Sequence, residues 1–310
     1  MRVATLTVNP AIDETLHLQR LIVGEVHRAS LVRFNAGGKG INVAACLADF
    51  GISTTVTGFL GADNIGIFQE LFDKRGIEDK FIRRPGTTRT NIKIVDAVDT
   101  TDINLSGDAV TPQQLEALNQ VLGSFSGKDW LVVLAGSLLP KVDTAYYTNI
   151  VSKLSPETKV IVDCSGDALQ AVLKADTLPY VIKPNIDELS QYCGKTLSDR
   201  GEILDIARSL INRGLKLVTV SMGANGALFV DANQAMHAQM RAEKVESTVG
   251  AGDAMVAGIA AALCENAPLE RIARLGTAFA VGKLGHEGPT LPDKKQIEHL
   301  ASAVACQLVS

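Results

Sequence analysis

"STVGAGDAMVAG", residues 247–258, sets Gly250, Ala251 and Gly252 directly before Asp253 and then enters an apolar helical run. Backbone left bare at a helix start presents unpaired N–H groups and the positive end of the helix dipole, which together suit an anion. The acid at its edge is either a first-turn residue favoured by the same dipole or a catalyst. Which of the two holds depends on what the rest of the chain brings to that spot.

Upstream, strand and helix patterns take turns. "VATLTVN" reads as a strand and "GINVAACLADFG" as a helix closed by Gly51, followed by strand "STTVTGF" and helix "NIGIFQELFDKRG". Next come strand "WLVVLAG", helix "TAYYTNIVSKL", strand "KVIVDC", helix "GDALQAVLK" and strand "YVIKPN". Helices within 186–213, strand "LKLVTVS", a hairpin over 226–240 and three helices complete the chain. Apolar β-branched runs separated by amphipathic helices predict an α/β fold, a mainly parallel sheet with helices on both faces. Residues 14–34 and about 81–106 break the alternation with short strands and turns. They are expected as edge strands or, together, as a small β-lid over the mouth of the sheet. No linker or repeat divides the chain, so one domain over 1–310 is expected, with the lid inserted in two pieces.

Thirty basic against 34 acidic residues leave no excess that would steer the chain onto nucleic acid or anionic lipid, so a small-molecule partner is expected. The longest apolar stretches fall short of the roughly 18 residues that cross a bilayer, and no charged leader precedes Arg2, which points to the cytoplasm. Cys46, Cys164, Cys193, Cys264 and Cys306 are scattered without a CxxC pair and are expected as buried free thiols.

In an open parallel sheet, ligands sit beyond the carboxyl ends of the strands. That rule selects "NPAID" after the first strand, "GGKGIN" before the first long helix, Gly136-Ser137, "DCSG" from 163, "KPNIDE" from 183 and "SMGANG" from 221, with the opening stretch. "GKT" at 194–196 is no P-loop, because Leu189 stands where its first glycine belongs. No GxGxxG opens the first βα turn, and His286-Glu287 lacks the second histidine of a zinc helix. At the opening stretch the chemistry admits phosphoryl transfer: amides of Ala251, Gly252 and Asp253 stabilise the moving charge while Asp253 takes the proton of the attacking hydroxyl.

"AGGKGINVA", "KPNIDEL" and "STVGAGDAMVAG" together resemble the ribokinase-like (PfkB) family of sugar kinases, over essentially the whole chain. The resemblance implies a ribokinase-like three-layer α/β/α sandwich with a mainly parallel central sheet and a small β-lid. It also implies ATP and Mg2+ as cofactors and a homodimer formed through the lid. Asp253 is similar to the family's base, with Gly250, Ala251 and Gly252 forming its anion hole. Asn185 and Glu188 match the NxxE motif that holds Mg2+ through water, although by residue chemistry alone Glu188 is a solvated helix acid. Asp13, Gly37, Gly38, Asn42 and Ser137 correspond to sugar contacts. Lys183, Ser221, Gly223, Gly226 and Gly252 correspond to the nucleotide side, where a tight turn between two strands explains the glycines of 221–226 equally well.

Arg28 and Arg89 fall in the two lid segments, where they match phosphate-binding arginines of the phosphosugar branches, and Lys39 lies in the glycine motif, a further positive charge that a neutral-sugar kinase would not need. Each charge-assisted bond to phosphate contributes roughly 1.5–3 kcal/mol, so two or three select a sugar phosphate over a free sugar. Arg33, Arg83 and Arg84 read as solvated. "TLTVNPAID", "GGKGINVA", "TRTNIKI" and "DCSGDAL" are most similar to the branch that converts fructose 1-phosphate and ATP to fructose 1,6-bisphosphate and ADP. The tagatose 6-phosphate and fructose 6-phosphate branches stay open beside it. Outside enzymes the alternative is a catalytically inactive sugar-phosphate sensor, which loss of Asp253 or the glycines would have favoured; all are present. One segment departs from the family: its GS-LPPG reads here "GSLLPKV", with Leu139 for the first proline and Lys141 for the glycine, which alters the turn after Ser137.

Overall fold

The protein is described over residues 1–309 by a computed structural model. The chain runs β1 (Arg2–Thr7), β2 (Ala11–His17), β3 (Leu31–Gly37), α1 (Lys39–Asp49), β4 (Thr54–Gly61), α2 (Gly66–Arg75), β5 (Glu78–Asp79), β6 (Ile82–Arg84), β7 (Thr90–Val95) and β8 (Thr100–Ile103). It continues α3 (Pro112–Gly123), β9 (Trp130–Ala135), α4 (Tyr146–Lys153), β10 (Lys159–Asp163), α5 (Gly166–Lys174), β11 (Val181–Ile182), α6 (Ile186–Cys193), α7 (Arg200–Asn212) and β12 (Leu217–Ser221). It closes with β13 (Ala227–Val230), β14 (Ala235–Gln239), α8 (Ala251–Cys264), α9 (Leu269–Leu284), α10 (Lys294–Ala303) and β15 (Ala305–Leu308).

Eleven strands form the main sheet, ordered β15-β14-β13-β12-β11-β10-β9-β1-β4-β5, with β6 also on β4. Every pairing from β12 to β5 and β6 is parallel, and β13, β14 and β15 close one edge antiparallel. Strand β9 shows why the pattern was a continuous apolar run: Val132 and Leu134 enter one core, Leu131, Val133 and Ala135 the other. The first core packs α3 to α7 on the sheet, the second α1, α8, α9 and α10. The result is the three-layer α/β/α sandwich expected from the sequence.

A second sheet of four strands, β3-β2-β7-β8, stands apart from the first. Its strands come from both segments that broke the alternation, with shifted bounds: β2 starts at Ala11, β3 ends at Gly37, and β6 leaves the second segment to pair with β4 of the main sheet. Opposed residues share a face. The rows Phe34–Glu14–Ile92–Ile103 and Val32–Leu16–Ile94–Thr101 point one way, and Asn35–Asp13–Asn91 and Arg33–Thr15–Lys93–Asp102 the other. The polar face meets the main body, since Arg33 pairs with Glu287 and Asn35 packs on Gly288. On the apolar face Val32, Phe34 and Ile103 are exposed.

Three elements differ from the sequence reading. Helix α3 is an addition to the expected elements; Thr111 caps it through a reciprocal bond with Gln114 and Pro112 opens it. "YVIKPN" supplies only the two residues of β11, and β15 follows the last helix as a strand. Cys46 and Cys164 are buried, whereas Cys193, Cys264 and Cys306 are partly exposed; all five are free. No helix among the described residues is long and apolar enough to cross a membrane.

Lys141 occupies a left-handed turn, φ 67°, where the resembled family has glycine. That conformation costs an L-residue about 1–2 kcal/mol, against about 0.5–1 kcal/mol of extra chain entropy for glycine. Lys141→Gly is therefore expected to raise stability by about 0.5–1 kcal/mol, measured by denaturant unfolding; a loss of stability would show the turn to be unstrained.

Candidate active site

Helix α8 begins where the main sheet's carboxyl ends converge. Gly250 is its N-cap at φ 81°, a left-handed conformation that glycine takes without strain. The first helical bond runs from the Ala254 N–H to the Gly250 carbonyl at 2.8 Å, so the amides of Gly252 and Asp253 precede the ladder. The Ala251 amide points instead at the Thr248 carbonyl, 3.4 Å away. The helix is locked from behind: a Cβ on Gly258 would stand 2.5 Å from the carbonyl oxygen of Leu275 in α9, so only glycine lets the two backbones approach. Asp253 is 7% exposed and accepts a 2.8 Å hydrogen bond from Nδ2 of Asn42 on α1. Burial pushes its carboxyl above the ordinary aspartate value, against the pull of nearby Lys39.

Around that acid stand two ammonium groups fixed by a second carboxylate. Asp163, at the end of β10, is fully buried, and its two oxygens each lie 3.2 Å from a lysine Nζ, Lys39 at the start of α1 and Lys183 just after β11. Burial alone would raise the Asp163 carboxyl; Lys183 and Lys39 hold it below the ordinary value instead. Lys39 is driven the other way, since Asp163, Asp253 and Glu188 override the burial that would lower it. A Cβ on Gly252 would stand 3.6 Å from the Lys183 Nζ, which places that ammonium beside the bare amides. Chemically, the arrangement sets an ionisable carboxylate beside two ammonium groups and the unpaired amides of a helix start.

Asn185 and Glu188 form a capping box on α6: Asn185 Oδ1 accepts from the Glu188 N–H and Glu188 Oε2 from the Asn185 N–H, both at 2.8 Å. One oxygen of Glu188 stays outside the cap. Asn185 is also bridged to Ser221. Gly223 and Gly226 both have positive φ in the turn to β13, and a Cβ on Gly226 would meet the Ala238 carbonyl at 2.2 Å, so the tight turn accounts for them.

On the small sheet, Asp13 accepts a 3.0 Å hydrogen bond from Asn91 Nδ2. A Cβ on Gly37 would lie 2.2 Å from Asp13 Oδ2, and one on Gly38 2.6 Å from Thr7 Cγ2, so both glycines serve close approach. Burial raises the Asp13 carboxyl, opposed by Asn91, Lys93 and Arg89. Arg89 donates to the carbonyls of Pro10 (3.2 Å), Asn9 (3.1 Å) and Leu105, pinning β7 to the end of β1. Ser137 meets Asn9 Nδ2 at 3.3 Å.

Several placements depart from the sequence reading. Lys39 faces Asp163 and Asp253, and Asn42 bonds Asp253. Arg28 is exposed on the connection 18–30, and no hydrogen bond or ion pair joins it to the cluster. Arg84 is not solvated; it is buried and donates to the Asp108 carbonyl at 2.9 Å. Arg33 and Arg83 carry ion pairs, with Glu287 and Asp79. No motif marks Asp163, Asn9, Asn91 or Lys93 individually. Asp163 and Asn9 lay on the selected rim, in "DCSG" and "NPAID", and Lys93 shares the strand face of Asp13.

Known proteins resemble the chain along its whole length. Residues 6–296 match the model of the pfkB family carbohydrate kinases. A 1-phosphofructokinase of Xanthomonas campestris pv. campestris is 45% identical over 92% of this chain and 91% of its own. One of Rhodobacter capsulatus is 40% identical over 98% of this chain and 97% of its own. The crystal structure of phosphofructokinase-2 from Escherichia coli in complex with substrates and products superposes with a TM-score of 0.90 at 27% identity, over 98% of this chain and 99% of that one.

Proposed function

We propose that this chain, which belongs to the pfkB family of carbohydrate kinases, moves the γ-phosphoryl group of ATP onto the 6-hydroxyl of fructose 1-phosphate. It is a sugar-phosphate kinase, a phosphotransferase with an alcohol acceptor. The observation that carries the reading is the buried Asp253 at the α8 N-terminus, bonded to Asn42 and ringed by Lys39 and Lys183.

Asp253 takes the proton of the 6-hydroxyl as the oxygen attacks the γ-phosphorus. The bond to the bridging oxygen breaks and ADP leaves, giving fructose 1,6-bisphosphate. Amides of Gly252 and Asp253, with Lys183 and Lys39, stabilise the charge spread over the equatorial oxygens. Asp13, with Gly37 leaving room beside it and Gly38 beside Thr7, grips sugar hydroxyls, and Arg89 and Ser137 serve the phosphate end of the sugar. Ser221, Gly223 and Gly226 line the nucleotide side.

Mg2+ belongs with the nucleotide. Among the described residues no group of three His, Cys, Asp or Glu gathers to hold a metal by itself. That suits an ion that keeps its waters and phosphate oxygens and takes one or two carboxylates. Glu188, with an oxygen outside its cap, and Asn185 would hold it through water; when bound it neutralises charge on the β- and γ-phosphates.

The small sheet acts as a lid that excludes water, and its apolar face joins a second copy of the chain. Phe34, 56% exposed on the edge strand β3 of that face, is the natural anchor. Phe34→Asp is expected to convert a dimer to a monomer in analytical ultracentrifugation; a dimer of unchanged affinity would move the interface elsewhere. For the reaction itself, ³¹P NMR of the mixture should show ADP and a sugar carrying two phosphomonoesters. A sugar product with a single phosphate would contradict the substrate.

A further inference from the structure

Lys283, in the last turn of α9, has no part in the reaction above, yet it is buried as deeply as the residues that do. It is 3% exposed, its Nζ donates to the His286 carbonyl at 2.7 Å, and among the described residues no carboxylate forms an ion pair with it. The neighbouring Cys46 thiol is pushed up to about 12 by burial and supplies no counter-charge. Its stem runs beneath the turn that opens α8: a Cβ on Gly250 would stand 3.4 Å from Lys283 Cε. The same turn is tied to the end of α9 by backbone, since the Glu246 and Ser247 N–H groups both bond the Leu284 carbonyl, at 2.7 and 3.3 Å.

A buried ammonium without a carboxylate is unfavourable unless negative charge comes to it. Compensation by the C-terminal dipole of α9 accounts for part of its tolerance. The turn it supports, however, is the one whose following amides face the transferring phosphoryl group. From this geometry we infer that Lys283 is a built-in cation behind the α8 turn: a positioning residue that holds the 246–250 segment in place and directs positive potential at the phosphoryl group without touching it. The inference rests on the kinase reading above.

Lys283→Met and Lys283→Gln remove the charge and keep most of the volume, and Lys283→Ala leaves room for a small cation. Against whichever phosphosugar the parent turns over, the neutral variants should lose about 10- to 100-fold in kcat with KM for the sugar nearly unchanged. In Lys283→Ala, ammonium chloride should restore at least about tenfold of that loss, whereas choline chloride at the same ionic strength should not. A purely structural lysine would lower the melting temperature without ammonium-specific rescue of kcat. Folded variants with parental kcat, a loss that ammonium leaves unchanged, or failure of all the neutral variants to fold would each overturn the inference. A parent inactive on fructose 1-phosphate but active on another phosphosugar would instead overturn the proposed substrate and leave this comparison standing.

Discussion

Asp253→Asn is expected to lower turnover by about 10² to 10⁴ while leaving ATP binding nearly unchanged. The substitution keeps the volume and an oxygen to accept from Asn42, so the α8 turn and its amides stay in place. What disappears is the lone pair that takes the hydroxyl proton. The pH profile gives a second readout. Burial raises the Asp253 carboxyl, and the base works only when ionised, so activity should fall as pH drops through a value above that of an ordinary aspartate. The acid limb should vanish in the asparagine variant. Near-parental turnover would remove Asp253 from the role of base.

The largest effect on stability is expected at Asp163→Ala. It removes the shared counter-charge of two lysines, one of them almost fully buried, and leaving a buried charge unpaired costs about 3–5 kcal/mol. Lys39 is more than a third exposed and finds water, which places the loss near the lower end, about 3 kcal/mol. The sign with pH follows from the depressed carboxyl. Stabilisation is complete above the ordinary aspartate value and is lost as pH falls through the lower value that Asp163 has in the folded chain. Denaturant unfolding at neutral pH should therefore show a lowered midpoint in the variant, with the gap closing in strong acid. An unchanged midpoint at neutral pH would mean that the lysines are satisfied without Asp163.

What could be read from the chain beforehand was what depends on neighbours in sequence. The alternation from β9 to α5 and the glycine turn before Asp253 are local patterns, and the layers follow from them. Helix α3 is equally local, since its Thr111–Gln114 box is a signal carried by the sequence itself. Other features depend on distant partners. Strand β15 is a strand because β14 offers an edge, and β6 leaves the lid because β4 does. The site shows the same division. Asp253 and its glycines announce themselves together, whereas Asp163 ends a strand like any other acid until strand order brings it to Lys39, 124 residues away. The motif marks Asn42 as a sugar contact and Lys39 as a cation for the substrate phosphate, and only the packing of α1 beside α8 turns them toward Asp253 and Asp163. Arg84 looked like its neighbour Arg83 until the segment around Asp108 covered it.

The central claim is tested most directly by ADP release with MgATP against fructose 1-phosphate, fructose 6-phosphate, tagatose 6-phosphate, free fructose and ribose, comparing kcat/KM. The account predicts a clear preference for fructose 1-phosphate and little turnover of the unphosphorylated sugars. Preference for another phosphosugar would keep the mechanism and contradict the substrate, and no turnover of any would contradict the kinase itself.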